Sequence, residues 1–403
     1  MDMHYQADEQ RDNVTHCMIV FSCVCIILQL YSIPRKINLL LSLANYGHVF
    51  IWIILGGWRI FRRFAHSIPN MILPALVAIM SAVISCFLTI TQYSGVTSLS
   101  VTALINFFVL PAMLMHCAIY PIPHKSKQLV IGTGVVMSLV YINLYHSEYR
   151  TVFETKYGRF FGEEVTLGYP NPNQTAMFLF VAMVILSIGI FWVKKPLVKT
   201  LLIADAAYMA VMLEQTKSRA GLLLLIIFLS AIFLMRKREI PSKLVKLVVL
   251  LPFIYAIVAM FFIETFGDVT LWGESIFNGR EGVYGKYLDN ISLVNFILGD
   301  FARFRFENLH NSYVSIAATA GIVTVICFVY FLRQLLLFNH GNAMTSWYSK
   351  IAYIGVLCVI IHSCGEAAFL VSGSTYAFLV FMIVMMFSSP TGMHFDITET
   401  IRK

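Results

Sequence analysis

The segment Asn308-Leu309-His310-Asn311-Ser312-Tyr313 carries the clearest chemistry in this chain. Asn311 or Ser312 is placed to cap a helix that starts there. A helix start presents free N–H groups and a partial positive charge, a ready anion site. His310 at that spot, near arginines, favours a neutral imidazole, the form that a general base needs. Taken alone, the segment reads more readily as a capping or interface histidine. Arg150, Lys156, Arg159, Lys217, Arg219, Arg280, Lys286, Arg303 and Arg305 fall in or beside the same kind of connection. Arginine suits a diphosphate, because its planar fork donates paired hydrogen bonds and keeps its charge. The alternative for each arginine singly is snorkelling to lipid phosphates.

The elements that must position these residues are apolar. Of 403 residues, 59% are hydrophobic and only 12% charged, against about 25% charged in soluble proteins. The charges are bunched, leaving runs near the ~20 residues that span a bilayer. Spans are expected near 17–33, 37–58, 69–92, 99–120, 129–146, 172–193, 197–216, 220–235, 245–264, 310–332, 351–364 and 368–388. The expected fold is therefore all-α, with about twelve transmembrane helices in one polytopic domain over 1–403. The first run, Cys17 to Ser32, follows a polar stretch and lacks a small-x-small cleavage site, so it is read as a span. The eight cysteines mostly lie inside the runs, without ligand spacing, and read as small apolar core residues.

Eighteen of the 29 Lys and Arg fall on one side of this layout, including Arg59, Arg62, Arg63, Arg236, Lys237 and Arg238. The positive-inside rule makes that side cytoplasmic, with both termini there. Arg35 and Lys36 run against the rule in a short loop. The opposite side holds two long loops, 147–171 and 265–309, expected to cover a site. The second, with Trp272, Phe277, Tyr284, Tyr287, Phe296 and Phe301, suggests short amphipathic helices at the membrane interface.

Four segments give the chain a resemblance to the bacterial O-antigen ligase and polymerase superfamily of membrane glycosyltransferases. They are Gly168-Tyr169-Pro170-Asn171-Pro172-Asn173, Ser218-Arg219-Ala220-Gly221, Asn278-Gly279-Arg280, and Leu309-His310-Asn311-Ser312-Tyr313 with Gly321. The resemblance covers about 147–335, and the first 130 residues match nothing beyond being spans. It implies a large outer loop between spans nine and ten over a cavity open to the outer leaflet, in the inner (cytoplasmic) membrane. Arg219 and Arg280 would bind the diphosphate of an undecaprenyl-linked glycan donor, and His310 would activate the acceptor hydroxyl, with inversion and with no cofactor or metal. Asn171, Asn173, Asn311 and Tyr313 are expected at the substrate. Arg150 and Arg159, flanked by Glu148, Glu154, Glu163 and Glu164, are assigned to glycan or acceptor positioning. A polymerase joins one lipid-linked glycan to the repeat unit on another, and Ile297-Leu298-Gly299-Asp300 leans that way; a ligase transfers to lipid A-core. Membrane lipid and a chain-length regulator complete the expected partners, with no nucleic acid.

A transporter or flippase would also have about twelve spans, with Asp205 and His48 as its deep polar residues; a scaffold leaves the outer arginines unexplained. No HExxH, GxSxG or P-loop is present. Single cysteines placed at 156 and 286 should react with an impermeant thiol reagent in intact spheroplasts. Protection of both would contradict the expected topology.

Overall fold

The computed structural model describes residues 2–64, 72–92, 97–120, 122–148, 152–153, 164–169, 172–266, 270–271, 274–275, 280–300, 309–366 and 374–388. The chain is an α-helical, multi-pass membrane protein. Eight helices are long and apolar enough to cross a membrane, and four shorter apolar ones accompany them among the described residues. In chain order they begin with α1 (Asp2–Arg35), α2 (Asn38–Val49), a π-helical stretch (Phe50–Gly56), α3 (Gly57–Phe64), α4 (Ile72–Gln92), α5 (Thr97–Ile119) and α6 (His124–Tyr145). Then follow α7 (Pro172–Trp192), α8 (Pro196–Gln215), α9 (Arg219–Leu234) and α10 (Ser242–Phe266). Two short helices, α11 (Arg280–Asn290) and α12 (Leu293–Leu298), precede α13 (Ser312–Met344), α14 (Trp347–His362) and α15 (Ser374–Phe387). The described parts of the connections 147–171 and 265–309 also hold two two-residue antiparallel β pairs, Val152–Phe153 with Glu164–Val165 and Thr270–Leu271 with Glu274–Ser275.

Burial sorts these helices. α7 is buried from Thr175 to Leu186, and α14 and α15 are similarly enclosed. A helix apolar all round belongs inside a bundle, and α7 packs against α6, α8, α9, α14 and α15. Lipid tails give helices little hydrophobic reason to associate, so close backbone approach at small residues carries the packing. A Cβ on Gly221 of α9 would stand 2.6 Å from Ala176 Cβ of α7, and one on Gly355 of α14 2.6 Å from Val184 Cγ1. Outer helices keep one apolar face exposed, as Leu39, Phe87, Leu197 and Phe233 do.

The two deep polar residues named above are tied into the bundle. Ser138 Oγ donates to Asp205 Oδ2 at 2.6 Å. His48 is buried, with Nδ1 3.3 Å from Gln29 Nε2 and Nε2 3.2 Å from the Ser22 carbonyl.

α13 runs beyond the expected span of 310–332. It is 33 residues long and broken at Gly321, whose φ of 86° and ψ of 160° are not helical. Its lower part, 322–344, is about 34 Å long at 1.5 Å per residue and matches a hydrocarbon core of about 30 Å by itself. The break is filled by the end of α12. A side chain on Gly321 would strike the backbone of Ile297 and Leu298, and one on Gly299 would strike Thr319 and the Gly321 nitrogen. The carbonyls released near the break find other donors: Asp300 N to Ala318 O at 2.8 Å, Ser85 Oγ to Thr319 O at 3.2 Å, and Thr324 Oγ1 to Ala320 O at 2.6 Å.

Both glycines lie in the positive-φ region and in backbone-to-backbone contact, so a methyl group at either adds strain to a clash, together about 1–3 kcal/mol or more. Gly299→Ala and Gly321→Ala should each lower the thermal midpoint of the purified protein. Gly341→Ala, which has open space around its Cβ within α13, should not lower the midpoint, since alanine favours a helix over glycine.

Candidate active site

Four chain segments meet at the ends of α7, α9, α13 and α14, and one string of polar contacts joins them. Ser218 caps α9, its Oγ accepting from Gly221 N at 3.1 Å. The same hydroxyl donates to Asn173 Oδ1 in the first turn of α7 at 2.7 Å. Asn173 Nδ2 donates to Glu366 Oε1 at 2.5 Å. Glu366 Oε2 lies 3.7 Å from His310 Nδ1, a charge-pair separation rather than a hydrogen bond. Such contacts are commonly long before substrate binds.

Each member is held by local structure. Ser218 follows Lys217, which has a φ of 52° and pairs with Glu214, so the α8–α9 turn is tight. Arg219 is the first residue of α9 and is exposed. His310 itself has a φ of 48°, a conformation that costs a non-glycine residue about 1 kcal/mol or more. Asn311 over-determines it. Its Oδ1 accepts from Tyr313 N and Val314 N, and its Nδ2 donates to the carbonyls of Pro252 in α10 and Cys364. Ser312 adds two more ties, N to Ser363 O and Oγ to Glu366 O. Tyr313 OH donates to Val249 O at 2.9 Å.

These ties place the His310 turn beside Pro252, about 15 Å along an α10 about 37 Å long. The His310 turn is therefore set within the length of α10. Beside the turn, Leu309, Val314 and Ala318 pack with Tyr284 and Tyr287 of α11 and with Ala256 and Ala259 of α10. Burial raises the phenol pKa values of Tyr169 and Tyr287 above the usual tyrosine range. His310 keeps partial access, its side chain 34% exposed against 11% for Glu366.

The expected site residues divide accordingly. Asn173 and His310 come into one string, and Arg219 stands beside it next to Ser218. Asn311 and Tyr313 are buried with their polar atoms committed to neighbouring backbone, so they hold the turn. Arg280 opens α11, but its side chain lies outside the described residues, as do Arg150, Arg159 and Asn171. Glu366 was not anticipated: it stands alone in an apolar stretch, with no spacing to tie it to His310. Ser218 was quoted only as part of a segment, although a serine just before an apolar run is a helix-cap signal.

Chemically, a carboxylate facing Nδ1 favours the tautomer that carries its proton there, leaving the Nε2 lone pair to accept one. The opening of α9 adds a helix N-terminus and an arginine on the other side of Asn173, a combination that suits an anion. No protein-family model matches this chain, and neither a curated protein nor a solved structure matches it.

Asn173 is the joint most open to a clean test. Aspartate there would set two carboxyl groups at the 2.5 Å contact, and they could not both ionise. One would keep its proton to a pH above its unfolded value. That contribution to stability is present at low pH and lost as pH rises through the raised value. The thermal midpoint of Asn173→Asp should therefore fall relative to wild type between about pH 5 and about pH 8. Parallel pH curves for the two proteins would show that Asn173 and Glu366 are not in contact.

Proposed function

We propose that this protein is a membrane glycosyltransferase that moves an undecaprenyl-diphosphate-linked glycan onto an acceptor hydroxyl at the outer end of its helix bundle. The observation that carries it is the string His310–Glu366–Asn173–Ser218, which joins three of the four segments behind the resemblance to the O-antigen ligase and polymerase superfamily. In this proposal the twelve apolar helices α1, α2–α3, α4 to α10 and α13 to α15 are twelve spans, with both termini cytoplasmic and the site facing outward across the inner membrane.

His310 is the general base. Its Nε2 takes the proton of the acceptor hydroxyl as that oxygen attacks the anomeric carbon, and the bond from that carbon to the diphosphate oxygen breaks. Undecaprenyl diphosphate leaves with the electron pair, and the configuration inverts. Glu366 steadies the imidazolium that forms. Arg219, the α9 N-terminus and Arg280 bind the diphosphate, whose negative charge grows as the bond breaks. The recessed position of His310 fits a donor whose lipid tail lies in the outer leaflet. Elongation of a lipid-linked glycan is the leading reading, and transfer to lipid A-core is the alternative.

A broken helix such as α13 is also a feature of transporters, where the free helix ends bind an ion or substrate. Here the break is packed with α12 backbone, and Ser85, Asp300 and Thr324 bond the carbonyls beside it. That favours a structural role for the break.

Purified variants in proteoliposomes should separate the roles. His310→Ala should bind lipid-linked donor like wild type yet turn over ~10²–10⁴-fold more slowly. Arg219→Ala should lose donor affinity and turnover together, and Arg280→Lys should also be poor because a point charge cannot reproduce the guanidinium fork. Normal product formation by His310→Ala would overturn the mechanism.

A further inference from the structure

α12 exposes four apolar side chains in six residues: Leu293 is 74% exposed, Val294 59%, Phe296 40% and Ile297 41%. In a loop surrounded by water this would be an unfavourable surface. Its depth gives another answer. The C-terminal end of α12 lies against Gly321, two residues from Thr319, whose carbonyl takes the hydrogen bond of Ser85. Ser85 is seven residues before the end of α4, about 10 Å below its outer end. Beside it α4 carries its own exposed apolar stripe, with Phe87 at 65% and Ile84 at 48%, and α12 contacts α4 directly.

We infer that α12 is a re-entrant segment whose exposed face contacts the acyl chains of the outer leaflet, continuing the lipid-facing stripe of α4. Irregular backbone is tolerated at that depth only when its polar groups are paired within the protein. Those at the ends of α12 are. Ser292 Oγ accepts from Asn295 N, Gly299 N donates to Asn295 O, and Asp300 N donates to Ala318 O. The polar residues Lys286, Asp289 and Asn290, on α11 just before it, are exposed as well, which sets a boundary between wet and apolar surroundings within one short stretch. Anchored in this way, α12 would fix the outer loop to the leaflet. The inference stands independently of the proposed glycosyl transfer.

The test uses an environment-sensitive fluorophore on Val294→Cys, with Lys286→Cys as the reference, in full-length protein lacking other reactive cysteines and held in lipid nanodiscs. Both positions are on the surface, so labelling does not require the core to adapt. At 294 the emission should be blue-shifted, quenched by lipids carrying a nitroxide near the top of the acyl chain, and protected from aqueous iodide. At 286 iodide should quench strongly. Iodide quenching at 294 without nitroxide quenching would place α12 in water and overturn the inference. Protection from both quenchers would mean that another protein surface, such as a second copy, covers α12, and would overturn it equally.

Discussion

Glu366 accepts a hydrogen bond from Asn173 and faces His310 in a setting nearly closed to solvent. A carboxylate there is costly unless its oxygens are occupied. Its backbone is engaged too: the Glu366 carbonyl accepts from Ser312 Oγ, and its N–H donates to His362 O. This single residue, beyond the end of α14 at His362, thereby ties together the first turns of α7 and α13, and through Ser218 the start of α9. Remove that carboxylate and the Asn173 amide loses its acceptor while His310 loses the charge that faces Nδ1.

The second constraint is the backbone of α13. A continuous 33-residue helix would project well beyond a bilayer, whereas the corner at Gly321 lets 312–320 take a separate course along α10. That course brings Asn311 to Pro252 and Tyr313 to Val249. Asn311, with both donors and its acceptor in use, locks a left-handed histidine whose conformation would otherwise relax. Strain at His310 and close backbone contact at Gly299 and Gly321 thus sit at the two ends of the segment 312–320, with the end of α12 pressed against the break.

Much of the architecture was legible in the sequence because apolar runs and the charges between them report the bilayer directly. Among the described residues, apolar helices run through these stretches, eight long enough to cross a membrane and four shorter; α13 runs on to Met344. The segments around Asn173, Ser218 and His310 were legible from residue type and helix-start signals. Glu366 was not, since a lone acid in a stretch such as Cys364-Gly365-Glu366-Ala367 has no periodicity to report its partner. The backbone hydrogen bonds of Asn311 and Tyr313 were not legible, because burial is invisible in a local motif, and the same holds for the Gly299–Gly321 contact, which pairs residues in different elements. For Arg150, Arg159, Asn171 and the side chain of Arg280, the described residues add nothing to the sequence.

The most direct measurement is a double-mutant cycle on transfer by purified protein, comparing His310→Ala, Glu366→Gln and the two together. If Glu366 acts through His310, Glu366→Gln alone should slow turnover with little change in donor binding, and the double variant should be no slower than His310→Ala. Losses that multiply in the double variant would show that the two residues act independently and would contradict a His310–Glu366 unit.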